Sequence, residues 1–161
     1  MLPPTQPTQI SVCRLKMLLS RPHINLYLFI FAITFSLFDT ISTVLCMGAL
    51  GHNHESNIFI RWIMHNFGVA GFLVVKMGVT LVVLVVVYHI IANGIRFGSL
   101  SARRFYGIYL GVIFSNAYAG TSNISVLLGN GSFYLLNLNV MQMVLLLAFL
   151  LPLTVLLFKS L

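Results

Sequence analysis

Residues 67–94 read FGVAGFLVVKMGVTLVVLVVVYHIIANG, and Lys76 is the one formally charged side chain in the run. A helix needs ~20 apolar residues to cross a ~30 Å hydrocarbon core, and this stretch is longer than that. In lipid the backbone must satisfy its own hydrogen bonds, so an apolar run of this length reads as a helix. The rest of the chain agrees. Of 161 residues, 59% are hydrophobic and 7% are charged, and the mean hydropathy is +1.00. A soluble domain averages about a quarter charged. The composition points to an integral membrane protein with no room for a second, soluble domain.

Three more apolar runs flank the first. They are residues 24–50, 105–128 and 133–158, the last with Pro152 near its end. The expected fold class is an all-α integral membrane protein, a bundle of four transmembrane helices. The segment 1–23, rich in Pro, Thr and Gln at its start, reads as a disordered basic tail. The tail is no secretory signal, because the apolar run that follows is too long for an h-region. A transit peptide stays open, since the tail lacks acid. Residues 24–161 form the membrane domain, with residues 57–65 a candidate short helix in the interface.

The formal charge is +7, yet nucleic acid is not an expected partner. Lys and Arg stand at the ends of the apolar runs, where topology signals belong. Arg14, Lys16 and Arg21 precede the first helix. Arg96, Arg103 and Arg104 lie between the second and third, and Lys159 follows the fourth. The opposite loops carry only Arg61. Both termini are therefore expected inside (N-in/C-in). The membrane would be the inner (cytoplasmic) one of a prokaryote, or an organelle inner membrane. Tyr27, Tyr88 and Tyr106 mark the inner boundary, Trp62 and Tyr134 the outer. Cys13 in the tail and Cys46 in a span make no disulfide framework.

Asp39 and Glu55 are the two acids of the chain, and Asp39 falls inside the first apolar run. Counting from the outer helix ends, Asp39, Lys76, Asn116 and Gln142 each lie about 9–12 residues deep, or ~15–18 Å. One polar group from each helix thus reaches a common layer. A lone charge there costs ~3 kcal/mol, so Asp39 is expected to pair with Lys76, flanked by Asn116 and Gln142. Ser36 and Thr43 share the face of Asp39, and Thr80 that of Lys76, so their hydroxyls can fill leftover hydrogen-bonding capacity. Two readings stay open. The layer is a clasp that fixes which helices meet, or it is an ion or proton site.

Other features carry less. Gly107, Gly111, Ser115 and Ala119 recur every four residues on the third helix. This small-xxx-small stripe serves internal packing or docks a partner. His52, His54, Glu55 and His65 are metal-ligand types clustered in the first outer loop, but they lack the His-Glu-x-x-His register of a zinc protease. His89 reads as an interfacial packing residue, with haem or chlorophyll ligation as the alternative. Asn123 and Asn130 match the glycosylation pattern, the first inside a span and the second in a tight loop. There is no nucleophile with a base and no pair of carboxylates for hydrolysis.

The first two helices and their loop resemble an uncharacterised family of short prokaryotic multi-span membrane proteins. Asp39 and Thr43 in DTIST carry the likeness, with Gly51, Glu55 and Asn57 in the loop, then Lys76 and Asn116. Ile58 stands where that pattern has Pro, and the loop histidines are additional. The resemblance covers roughly residues 24–120 and implies a membrane fold with no known activity. The first functional expectation is an accessory or structural subunit, packed in the lipid bilayer against larger membrane proteins or against itself. The alternative is a small ion- or proton-coupled transporter working as an oligomer. The second alternative, a metal-dependent membrane enzyme, rests on the loop histidines alone. No cofactor is named by the sequence.

Overall fold

The computed structural model describes residues 22–51, 57–96 and 101–157. Among the described residues there are four α-helices: α1 (Pro22–Leu50), α2 (Ile58–Ala92), α3 (Tyr106–Leu127) and α4 (Val140–Leu157). A 3₁₀ turn, Ala102–Phe105, leads into α3. Among the described residues there is no strand, only an isolated bridge between Leu135 and Leu138. Three helices, α1, α2 and α4, are long and apolar enough to cross a membrane. Residues 1–21 of the expected tail lie outside the described residues.

The helices pack in the order α2, α1, α3, α4. Hydrogen bonds fix their directions. Asn25 accepts from the Tyr109 hydroxyl, and Asp39 receives the Asn123 amide. The earlier α1 position meets the earlier α3 position and the later meets the later, so α1 and α3 run parallel. Asn25 donates to Tyr88 O, while Lys76 meets Asp39, so α2 runs antiparallel to α1. Gly107 lies against Val155 and Pro152, and Gly111 against Pro152 and Ala148, which sets α4 antiparallel to α3.

α2 begins at Asn57, whose side chain accepts from Phe59 N at 3.0 Å and Ile60 N at 3.4 Å, an N-cap satisfying otherwise orphaned donors. Its first turns, through Phe67, end at a kink where Gly68 adopts φ 67°. That left-handed value is open to glycine at little steric cost. Phe59, Trp62 and Phe67 form a ring series along these turns. The segment covering 57–65 is thus helical and continuous with α2, bent away from it at Gly68.

The sequence places the start of the fourth helix at residue 133, and the structure places it at Val140. Between them the chain folds back on α3. Ser125 donates to Gly131 O at 2.9 Å, and Phe133 N donates to Ser122 at 3.2 Å. Leu136 and Asn137 both take positive φ, the geometry of a tight hairpin turn. Asn139 and Gln142 then cap α4 reciprocally, at 3.0 and 2.9 Å. Apolar side chains in 133–138 mimic a span, but these side-chain bonds hold them outside the helix.

Two clusters make the core. Ala32, Leu84, Val87, Tyr106 and Tyr109 close the end of the bundle where α1 and α3 begin. Met47, Ile63, Met64 and Phe72 pack the other end of the α1–α2 seam, under the bent first turns of α2. Polar groups lie between them.

Candidate functional site

Asp39 is 7% exposed, and Lys76 Nζ donates to its Oδ2 at 2.6 Å. The Lys76 ammonium also stands 5.3 Å from the centre of the Phe72 ring, within cation–π range. Helix periodicity places the partners. Ser36, Thr40 and Thr43 share the Asp39 side of α1. Thr43 donates to the Asp39 carbonyl at 2.8 Å and Ser42 to the same carbonyl at 2.9 Å. Near Lys76, Ser36 donates to Thr80 at 3.4 Å, and the Ser36 and Thr40 hydroxyls approach the Met77 sulfur at 3.7 and 3.6 Å. This second seam continues the polar contact of α1 with α2 by one turn.

The third helix contributes Asn123. Its Nδ2 reaches Thr43 Oγ1 at 3.0 Å, Ser42 Oγ at 3.2 Å and Asp39 Oδ1 at 3.4 Å. Gly120 makes this approach feasible. A Cβ there would sit 2.5 Å from the Phe38 ring and 3.2 Å from Asp39 Cα. The Asp39–Lys76–Asn123 cluster therefore joins α1, α2 and α3.

Two residues expected in the layer lie elsewhere. Asn116 turns back on its own helix and donates to Val112 O at 2.7 Å. Gln142 is exposed in the first turn of α4, engaged in the cap with Asn139. Both are displaced because the helices do not end at one level. α3 ends sooner relative to Asp39 than α1 does, and α4 starts later than expected. Measured from the helix starts, Asp39 follows Pro22 by as many positions as Asn123 follows Tyr106. A constant rise per residue therefore brings these two side chains to the same level. A count from the basic ends of the runs would have found Asn123, which the sequence offered only as part of a glycosylation pattern.

The stripe of small residues is occupied within the chain. Gly107 and Gly111 lie directly under α4. Ser115 is buried and bonds back to Val112 O, and Ala119 lines a cavity. His89 is exposed, and its carbonyl accepts from Asn93. Of the loop residues read as metal-ligand types, His52, His54 and Glu55 lie outside the described residues, and His65 is exposed. Among the described residues no three His, Cys, Asp or Glu side chains cluster as a metal site.

A cavity of about 260 Å³ runs from the Asp39–Lys76 pair to the helix ends beyond it. Its floor is Asp39, Lys76, Thr43, Ser122 and Asn123. Its walls are the last turns of α1 and α3 and the first turns of α2 and α4, including Met47, Ile60, Val126 and Val144. The opposite direction is blocked by the Tyr109 cluster. The ion pair is thus approached from one end of the bundle.

An all-helical protein whose apolar helices enclose an Asp–Lys pair belongs among proteins with helices fit to cross a membrane. The chain is a member of the DUF5658 family, a domain of unknown function, whose model matches residues 30–121. The match takes in Asp39 and Lys76 and stops just short of Asn123. No curated protein and no solved structure matches the chain.

Proposed function

We propose that this chain is a multi-pass membrane protein with four spanning helices and both termini inside, and that it works as a small ion- or proton-coupled transporter. Three of its helices have the length and apolarity to cross. α3 is less apolar, yet it is flanked by α1 and α4, so its Ser, Asn and Gly residues meet protein where small and polar side chains favour helix contact. The Lys and Arg asymmetry supports the orientation. The observation that carries the transport reading is the cavity whose floor is the Asp39–Lys76 pair. Lys76 keeps 17% of its side chain accessible, so a solute or proton carrier that enters the cavity can reach the ammonium. The Tyr109 cluster would act as the closed inner gate of this state.

The test is reconstitution in liposomes with an entrapped pH dye and an imposed potential. The wild-type protein is expected to pass protons above the level of empty vesicles. The swapped Asp39→Lys/Lys76→Asp protein is expected to fold and lose that flux. Flux no greater than in empty vesicles sinks the transport reading.

The second reading is an accessory subunit held together by the same clasp. α2 favours it, since Val74, Val79, Val82 and Val86 are all more than half exposed and present a smooth face to lipid or to a larger neighbour. The stripe on α3 argues for it less, because α4 covers Gly107 and Gly111. Native mass spectrometry from mild detergent separates the two readings: a fixed ratio with larger subunits favours the accessory role.

A further inference from the structure

The ion pair leaves hydrogen-bonding capacity on both of its members, and both face the same cavity. The Lys76 ammonium has three donors. One goes to Asp39 Oδ2, and the Phe72 ring takes up no hydrogen bond in its plane. The Asp39 carboxylate has about four acceptor sites. Oδ2 takes Lys76, and Oδ1 takes one long contact of 3.4 Å from Asn123. Residual donors and residual acceptors therefore sit side by side at the floor. Ser122, which accepts from Phe133 N, keeps its own hydroxyl proton to donate.

This floor has no net charge, which decides the chemistry of a guest. A simple anion gains from Lys76 and is repelled by Asp39, and a simple cation meets the reverse. The two terms are of like size and opposite sign at like distance, so for a single charge they nearly cancel. A zwitterion aligned against the pair gains at both ends. The walls add a second requirement. Above the floor they are mostly apolar, with Met47, Leu50, Ile60, Val126, Val140 and Val144, and Asn57 and Ser132 are the polar exceptions, so a guest with an apolar substituent buries it against the apolar part. The volume corresponds to about eight or nine waters at ~30 Å³ each, which sets the size class as small.

We infer that the cavity is a binding site for a small zwitterion with an apolar substituent, of the α-amino-acid type. Its carboxylate would lie on Lys76, its ammonium on Asp39 Oδ1, and its side chain between α1, α3 and α4. This rests on the transport reading and names the solute class of the same site.

Cys46 lines the cavity and supplies the readout. With Cys13→Ser in place it is the sole thiol of the chain. The full chain in nanodiscs is treated with a small membrane-impermeant thiosulfonate, and modification is followed by intact mass. The probes are L-valine, isovalerate, which lacks the ammonium, and isobutylammonium, which lacks the carboxylate. L-valine at ten times its Kd is expected to slow modification roughly tenfold, because only the empty fraction reacts. Each half-molecule at the same concentration should leave the rate unchanged. The double neutral variant Asp39→Asn/Lys76→Met should keep Cys46 reactive and lose protection. The swapped pair should retain protection, with the guest reversed. A reactive Cys46 that L-valine does not protect overturns the inference and leaves the cavity standing. Protection by isovalerate equal to that by L-valine overturns it in favour of an anion site. A Cys46 that does not react at all overturns the solute-cavity reading and the inference together.

Discussion

Removing one charge from the Asp39–Lys76 pair should destabilise the bundle far more than removing both. Asp39→Asn leaves the Lys76 ammonium without its counter-charge. Breaking a buried pair costs about 3–5 kcal/mol, and a lone charge at the bilayer centre costs about 3 kcal/mol on insertion scales. Lys76 is 17% exposed and borders a cavity that admits water, so the lower end of that range, about 3 kcal/mol, applies. Lys76→Met strands Asp39, whose side chain is 9% exposed and keeps the long Asn123 contact and the nearby Thr43 hydroxyl but no counter-charge, so its cost should equal or exceed that of Asp39→Asn. The double variant Asp39→Asn/Lys76→Met should lie within about 1 kcal/mol of wild type or above it, since apolar replacement of a buried pair is neutral to stabilising. Unfolding in mixed micelles with increasing dodecyl sulfate, followed by far-ultraviolet circular dichroism, closes the double-mutant cycle. With singles of about 3 kcal/mol or more and a double within about 1 kcal/mol of wild type, the expected coupling is about 5 kcal/mol, well above the ~1.7 kcal/mol maximum found for neutral hydrogen bonds between membrane helices. A coupling below about 0.6 kcal/mol, the average for such neutral bonds, would refute the claim that this pair holds α1 to α2.

Other substitutions probe the neighbouring contacts by the same unfolding assay. Gly120→Ala should cost about 1–3 kcal/mol, because the new methyl meets Asp39 Cα at 3.2 Å and backbone cannot swing aside as the Phe38 ring can. Gly111→Ala should cost a similar amount by pushing α4 off α3, since its Cβ would lie 2.9 Å from Pro152 Cγ and 3.1 Å from Ala148 O. Gly78→Ala is the control: nothing stands within 4 Å of its Cβ, and helix propensity should stabilise it by up to about 1 kcal/mol. Asn123→Ala should cost about 1–2 kcal/mol through its lost interhelical bonds, whereas Asn116→Ala, which loses only a bond within its own helix, should change stability by less than about 0.5 kcal/mol.

The class of fold was legible because apolar run length is a direct consequence of what lipid demands of a backbone. The Asp39–Lys76 contact was legible for the same reason: a charge has few ways to survive in such a run, and one cation lay at its depth. What the sequence hid was helix stagger. Asn116 and Asn123 are seven residues apart, two turns on one helix, and both are polar groups in a less apolar helix. Choosing between them needs the level at which α3 ends, and that level is set by residues 128–139 folding back through Ser122 and Ser125. Gln142 was misread through the same segment. The phenylalanine, tyrosine and leucines of 133–138 have the composition of a helix, and only the turn at Leu136 and Asn137 removes them from it. Gly120 was equally invisible. Its neighbours Ala119 and Ser115 belong to the regular small-residue stripe, while Gly120 itself points at α1, one position off that period.

The clasp and the cavity fit one energetic account. A fully dry ion pair bears a desolvation penalty of several kcal/mol per ion, which its mutual attraction only partly offsets. Placing Lys76 at the floor of a cavity lets water or a dipolar guest solvate the ammonium from one side, while Asp39 keeps Asn123 and the α1 hydroxyls around it on the other. The penalty falls, and the pair persists. The same arrangement weakens the clasp, because a guest that bonds to both ions competes with the 2.6 Å contact between them. A zwitterion seated there would loosen the tie between α1 and α2 while bridging it. The Tyr109 cluster packs those two helices and α3 at the end of the bundle opposite the cavity, so the elements a guest would free are the ones that close that end. Binding at the floor and opening at the gate would then be coupled through Asp39 and Lys76, with the size of that coupling bounded by the free energy of their own contact.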